Sequence, residues 1–459
     1  MIEQSFGLMS QIILAIALPY FALSIVLGIR VVRRDGLRLS TQESRATGDA
    51  RLPLPMALYV LIPCLNEEVV IASTVTSLVS GTNCTVVVID DGSDDGTAAR
   101  AEQAARDAGA SGRFLAVRRT GAQSRLGKGA ALNAGLPVVE ADVVARGLSA
   151  RDVVVAVMDA DGRLSAGAAH AALAMFADRR VGAVQLVVRI RDRRKLIAQF
   201  QDVEFWMISA LSQFARSISG TVSLGGNGQF ARLVALQHLD GPAWSTSLTE
   251  DLDLGLRLIT DGWRITTTRD AYVDQQAVDT FPRLLRQRTR WYQGHMESVR
   301  RLPSLWRSDK VNEVAVLEVS SYLLVPWLIV LPWSILQQWI VFQLVAGSGH
   351  GILASGLGGV SWRITYGLLW YVLSFAPNIL IGVIYARRTQ SVTLGRALVL
   401  GHLMIAWNYI GYLAAWRAVG RMVRRRSDWT KTTRSAELDV AHAAPVAPAT
   451  FVAPIASAR

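Results

Sequence analysis

Three acidic clusters, Asp90-Asp91, Asp159-Ala160-Asp161 and Glu250-Asp251, have the residue types needed to bind a phosphorylated ligand and to move a proton. The first lies in Asp90-Asp91-Gly92-Ser93-Asp94-Asp95-Gly96-Thr97, preceded by Ile62-Pro63-Cys64-Leu65-Asn66-Glu67-Glu68. Carboxylates at a strand end can accept from the imide N–H of a uracil or from ribose hydroxyls, while glycine lets the backbone come close. The same letters also make an Asx-rich turn, with Asp94 and Thr97 capping the next helix. Pro63, Asn66, Glu67, Asp90 and Asp91 are therefore candidates for a nucleotide site.

Asp159-Ala160-Asp161 follows an apolar run, 153–158. On an extended segment alternate residues point the same way, so these two carboxylates can hold one hard cation whose remaining sites are filled by diphosphate oxygens and water. The bland reading of the triplet is a solvated turn. Thr249-Glu250-Asp251 opens a helical stretch, 252–259. An acid there is either an N-terminal cap stabilised by unpaired N–H groups or a general base for an incoming hydroxyl, and Asp251 is the candidate base. Gly225-Gly226-Asn227-Gly228-Gln229-Phe230 reads as a flexible loop whose amides, at Gly226 and Asn227, can line an acceptor site, with a simple turn as the alternative. On the amphipathic helix expected from Phe281, Gln287, Arg290 and Trp291 fall on one face. Arg290 can pair with a diphosphate, Trp291 can stack on a sugar ring and Gln287 can bond hydroxyls. Arg286, Arg300, Arg301 and Trp306 also suit a basic helix lying on a membrane.

These groups need a scaffold. Short β-branched runs at 57–63, 85–89, 114–117, 153–158 and 181–188 alternate with Ala-rich helical stretches at 98–108 and 129–139. That alternation predicts an α/β domain with a mostly parallel sheet, whose ligands sit beyond the carboxyl ends of the strands.

Composition adds a membrane. Hydrophobic residues make up 51% of the 459 residues and charged residues 18%, with apolar blocks at 11–29, 314–345, 362–385 and 397–419. Such blocks suit spanning helices, the second interrupted by Pro326 and Pro332. The net charge of +12 comes largely from arginines flanking the blocks: Arg30, Arg33, Arg34, Arg387, Arg388, Arg421 and Arg424 to Arg426. Their placement indicates topology and anionic headgroups, not nucleic acid. Arg30, Arg33 and Arg34 come after the first block, so the helix is not a cleaved leader and delivers the downstream chain to the cytosol. Cys64 and Cys84 read as core thiols. The expected organisation is a membrane helix in 1–36, a linker at 37–54, a cytosolic domain at 55–280, interfacial helices at 281–312, membrane helices at 313–420 and a basic, then unstructured tail at 421–459. An uncharged glycine-rich piece at 347–359 reads as an outside loop. One span before and three after the domain would leave the C-terminus outside, in conflict with the arginines at 421–426. A hairpin within 314–345, an interfacial block or a failure of the charge rule would each resolve it.

DDGSDDGT, DAD, TED and QRTRW, in this order over roughly 90–291, resemble the motif set of processive family-2 glycosyltransferases, the group of cellulose, hyaluronan, chitin and poly-N-acetylglucosamine synthases. The resemblance implies a GT-A fold flanked by transmembrane helices in the cell membrane, and an inverting transfer from a nucleotide-sugar, UDP-linked, to a growing β-linked glycan at the cytosolic face. It implies that Asp90 and Asp91 hold uridine, that Asp159 and Asp161 hold diphosphate and Mg²⁺ or Mn²⁺, and that Asp251, next to Glu250 in the catalytic set, is the base. Gln287, Arg290 and Trp291 would bind diphosphate and acceptor. Gly127-Lys128-Gly129 resembles the family's segment near the nucleotide, placing Lys128 at phosphate, and Trp429-Thr430-Lys431-Thr432 resembles a cytosolic motif after the last helix. The GGNGQF loop also resembles bacterial and cyanobacterial glycolipid synthases of the superfamily, which add one sugar to diacylglycerol. Polymer synthesis is the first expectation and glycolipid synthesis the alternative. A non-catalytic receptor or transporter that keeps the fold is a third, which the intact motifs argue against.

Overall fold

A computed structural model of the chain describes residues 56–346, 360–389 and 392–426, with a few helical positions between 15 and 30. The expected linker at 37–54, the piece at 347–359, the motif at 429–432 and most of the first apolar block lie outside the described residues.

Eight strands form one sheet. They are β1 (Ala57–Cys64), β2 (Thr85–Asp90), β3 (Phe114–Arg118), β4 (Val153–Val157), β5 (Arg163–Leu164), β6 (Val181–Ile190), β7 (Gln229–Arg232) and β8 (Arg264–Gln275), in the order β3-β2-β1-β4-β7-β6-β8-β5. Valine and isoleucine dominate β2 and β4, and β1 is apolar throughout, because helices cover both faces. The covering helices are α1 (Ile71–Gly81), α2 (Thr97–Asp107), α3 (Lys128–Ala145), α4 (Ala168–Met175), α5 (Leu196–Val203), α6 (Ala210–Ser217), α7 (Leu233–Gln237) and α8 (Glu250–Thr260). One core joins Tyr59, Leu61, Val87 and Ile89 to Leu132, Leu254 and Leu258, and the other joins Val60, Ile62, Val86 and Val88 to Ile71, Val75 and Ala101. Cys64 and Cys84 are buried, as expected.

The pairings β1–β2, β1–β4, β2–β3 and β6–β8 are parallel, and β4–β7, β6–β7 and β5–β8 are antiparallel. The sheet is thus mixed but mostly parallel. Its antiparallel insertion, β7, corrects the flexible-loop reading of 225–230. Gln229 pairs with both Val157 and Gln185, and Gly228 N donates to Val157 O at 3.0 Å. Gln185, itself buried, accepts from Gly225 N at 2.7 Å and donates to Asn227 O at 2.8 Å. This loop is held at both ends.

Between α5 and α6 the segment Glu204–Ser209 winds as a π-helix, a form that recurs at functional sites. Helices α9 (Phe281–Glu297), α10 (Leu302–Arg307), α11 (Glu313–Val325), α12 (Leu331–Ala346), α13 (Val360–Thr389) and α14 (Leu394–Val423) complete the described chain. Residues 313–346 form no hairpin. A π-helical turn at Pro326–Val330 joins α11 to α12, so the helix runs on through the proline; the wider turn accommodates a ring that a regular helix would clash with. Glu313–Trp339 and Leu394–Val423 are long and apolar enough to cross a membrane, and 44% and 33% of their apolar windows are buried in the molecule. The α5–α6 layer shares a core with α13 and α14: Phe200, Trp206 and Phe214 cluster with Tyr385, Leu400 and Trp407.

Candidate active site

The motifs meet along the carboxyl edge of the sheet. At the β1 and β2 ends, Asp91 N donates to Cys64 O at 2.8 Å, so the two turns lie side by side. Asn66 sits at φ 52°, a left-handed position that asparagine tolerates; its N–H donates to Ser93 Oγ at 2.9 Å, and its Oδ1 accepts from Asp94 N at 2.8 Å. Asp90 Oδ1 accepts from Ser93 N at 2.9 Å. Asp91 is buried, ion-paired with Arg119, and accepts from Arg125 N at 3.0 Å. Burial raises its pKa, with Arg125 and Arg119 pulling the other way. Glycine is required at Gly92, where φ is +83° and a Cβ would come within 2.8 Å of Ser124 Oγ. Pro63 pairs in register with Ile89. Glu67 caps α1 through its carbonyl, bonded to Val70 N and Ile71 N, and its N–H donates to Thr97 Oγ1 at 2.7 Å.

The Asp159-Ala160-Asp161 geometry differs from the expected extended segment. Strand β4 stops at Val157, and Gly162 N bonds Asp159 O at 2.8 Å, which closes a turn. Asp161 is fully buried, and its Oδ2 accepts from Gln276 N at 3.0 Å. Asp159 N donates to Asn227 Oδ1 at 3.2 Å. Asp159 Oδ1 accepts from Lys128 Nζ at 2.5 Å, and the same ammonium donates to Gly226 O at 2.5 Å. The two carboxylates are hard oxygen donors on one turn, suited to Mg²⁺ or Mn²⁺. Among the described residues no group of three or more His, Cys, Asp or Glu forms a cation site. The donor set therefore fits an ion whose shell is completed by phosphate oxygens and water, not one caged by protein.

Glu250 and Asp251 start α8, and Asp251 Oδ1 accepts from Leu252 N at 2.7 Å. Their turn packs on α9 at Gly294, where a Cβ would meet Thr249 Oγ1 at 2.5 Å. Burial pushes Glu250 up, to about 7, and the Asp251 charge adds to this against Lys128 and Arg290. Burial also raises Asp251, opposed by the Leu252 N–H, Lys128 and Arg290. Lys128, Asp159, Gly226, Glu250, Asp251 and Arg290 thus form one electrostatic cluster, and the stretch that ends at Lys128 begins with the Arg119 and Arg125 contacts to Asp91.

On α9 the expected face divides. Arg290 acts on the acidic pair, and Gln287 is half-buried. Trp291 packs edge-on against Phe205 with centroids 6.0 Å apart, and the guanidinium of Arg288 lies 4.5 Å from its ring centre. Sequence reasoning passed over Arg288 and its partner Glu204, which lie 2.8 Å apart. The signal was present: Glu204 is a lone charge within the apolar stretch 203–211. Glu204 Oε2 also accepts from Trp407 Nε1 on α14 at 3.2 Å.

The model for glycosyltransferase-like family 2 matches residues 55–294. The chain is 31% identical over 249 residues to a β-monoglucosyldiacylglycerol synthase of Trichormus variabilis, covering 51% of this chain and 48% of that protein. It is 30% identical over 301 residues to the Synechocystis protein of the same name, covering 62% and 57%. A Staphylococcus aureus poly-β-1,6-N-acetyl-D-glucosamine synthase is 26% identical over 241 residues, covering 52% and 54%. The chain spans about half the length of the curated relatives it matches. Among solved structures, the mannosyltransferase PcManGT from Pyrobaculum calidifontis, in complex with GDP-Man and Mn²⁺, superposes with a TM-score of 0.50 at 18% identity, covering 87% of this chain and 99% of that one. The likeness shows a GT-A-type fold.

Proposed function

Because the chain belongs to glycosyltransferase-like family 2, we propose that it is a membrane-bound inverting hexosyltransferase that moves one sugar from a UDP-sugar to a diacylglycerol-type lipid. The observation that carries this reading is the double attachment of α9. Arg290 on this helix acts on Glu250 and Asp251, while Gln293 Nε2 donates to Arg426 O at 2.7 Å and Arg421 Nε donates to Gln293 Oε1 at 2.8 Å, beside the apolar helix α14. The reacting carboxylates therefore stand one helix away from a surface suited to lipid. Relatives at 30–31% identity named for glucosyldiacylglycerol synthesis support the same acceptor.

In this mechanism Asn66, Asp90 and Asp91 receive the nucleoside, and Lys128 and Arg290 counter the diphosphate charge. Asp251 takes the proton of the lipid hydroxyl as its oxygen bonds to the anomeric carbon and the bond from that carbon to the diphosphate oxygen breaks. Attack opposite the leaving group inverts the centre. Asp159 and Asp161 would hold a divalent cation, which when bound supplies Lewis-acid stabilisation of the leaving diphosphate. The apolar helices anchor the enzyme in the cell membrane as a multi-pass protein, with arginines at their ends keeping the catalytic domain cytosolic.

A second reading, polymer synthesis, has its own observations: QRTRW at 287–291 and the 26% identity to a poly-N-acetylglucosamine synthase. Mass spectrometry of products formed in nanodiscs with a UDP-sugar panel, diacylglycerol and Mn²⁺ separates the two. Monohexosyl diacylglycerol is expected. Polymer formed without lipid acceptor overturns the glycolipid reading in favour of the second.

A further inference from the structure

The ammonium of Lys128 stands where three carboxylates converge. Its side chain is only 18% exposed, and its Nζ lies 2.5 Å from both Asp159 Oδ1 and Gly226 O. Glu250 and Asp251 stand close enough for their charges to act on the same ammonium. Gly226 makes room for this arrangement, since a Cβ there would lie 2.9 Å from Nζ and 3.3 Å from Asp251 Oδ2. We propose that Lys128 is a positioning residue that holds Asp159 until a diphosphate takes over the ammonium, so that a divalent cation reaches this carboxylate only together with the diphosphate. The inference rests on the diphosphate and cation roles argued under Proposed function and deepens them.

The reason is charge. Asp159 Oδ1 cannot serve a cation while it holds Lys128 at contact distance, and a cation arriving alone would face an ammonium a few ångströms away in a partly dry site, where like charges repel strongly. The ammonium has no cheap retreat, because the surrounding carboxylates hold it. A diphosphate changes both facts at once: it offers Lys128 charge-assisted bonds and brings oxygen ligands for the cation. Cation and nucleotide then bind cooperatively, and the coupling is reciprocal. A merely structural salt bridge would stabilise the fold without setting this coupling.

The test measures Mn²⁺ binding by the loss of the free-ion electron paramagnetic resonance signal, using the full chain in zwitterionic nanodiscs with and without UDP. Wild type is expected to bind Mn²⁺ about tenfold or more tightly with UDP than without, inside the ~5–150-fold range usual for coupled sites. Lys128→Met is expected to bind Mn²⁺ alone about tenfold more tightly than wild type, and the gain to vanish on adding Asp159→Asn. Lys128→Gln, which keeps a donor for Gly226 O without the charge, should behave alike and stands in should the methionine variant fail to fold. Unchanged Mn²⁺ affinity in both variants without UDP overturns the inference, as does wild-type binding that UDP does not strengthen. Wild type that takes up no Mn²⁺ even with UDP overturns the cation reading itself, an outcome distinct from the other two.

Discussion

The two halves of the sheet hold their polar groups in different ways. Along β1, β2 and β4 the carboxylates sit at the strand ends or on the turns that follow, and their partners are backbone and loop groups at the same sheet edge: Asp90 holds Ser93, Asn66 holds Asp94, and Asp161 accepts from Gln276 N at 3.0 Å just past β8. Beside β6 and β8 the buried charges are tied to the apolar helices. Asp202, fully buried, accepts from Ile190 N at 2.8 Å and from Tyr385 Oη at 2.7 Å and meets Arg193 at 3.3 Å. Glu204 joins Arg288 and Trp407, and Arg216 pairs with Glu318 at 2.7 Å while lying 3.8 Å over the Tyr322 ring. The first half holds the acidic motif groups at the sheet edge. The second ties the α5–α6 layer to the apolar helices, so its polar groups act on how that layer docks.

Substituting one residue of the acidic cluster that faces the first half and one residue of the second should give opposite signatures. Asp251→Asn is expected to lower the rate of transfer by about 10²–10⁴-fold, the contribution usual for a positioned base. UDP binding and the melting temperature should stay near wild type, because the base is not needed to hold the nucleotide. An Asp251→Asn protein as active as the parent in a turnover assay would remove the base and revive a non-catalytic reading of the fold. Asp202→Ala should do the reverse. Removing a buried acceptor strands Tyr385 Oη and the Ile190 N–H and unpairs Arg193, at a cost of roughly 3–5 kcal/mol in stability. Tyr385→Phe keeps the carboxylate and loses a single bond, for about 1–1.5 kcal/mol. Chemical denaturation in nanodiscs reads both costs. Equal stability of Asp202→Ala and wild type would mean that this layer does not secure α13.

The contrast also explains what the sequence made legible. Strands β1, β2, β3 and β4 announced themselves as apolar runs, each within a residue of its observed end, and in β1, β2 and β4 this is because parallel buried strands need apolar residues on both faces. Strand β7 did not. Its four residues, Gln229–Arg232, are too few to show a period, and two of them are polar, although all are buried. The helical face on α9 was placed correctly for Arg290, but Trp291 takes its cation from Arg288 because Glu204 lies on that side. Pairings such as Tyr385 with Asp202 join residues 183 positions apart, and nothing local in either stretch records the partner. What local chemistry dictates was readable; what tertiary packing selects was visible only as isolated charges in apolar runs.

The smallest expected effect concerns the acidic pair. Glu250 is raised to about 7 by burial and then by Asp251, and Asp251 is itself raised by burial, so the pair retains a proton up to near neutrality. Two carboxylates this close titrate as a unit, and the base form of the pair appears as pH rises through that value. Since kcat/KM reports groups of the free enzyme, it should climb with pH along an acidic limb near 7 and fall to about a tenth of its plateau one unit below. Glu250→Gln removes the like-charged neighbour while Lys128 and Arg290 continue to favour the Asp251 anion. The limb should then move to lower pH, whatever happens to the plateau. A limb that stays in place would mean that Asp251 titrates independently of Glu250, and the acidic pair would no longer act as a unit.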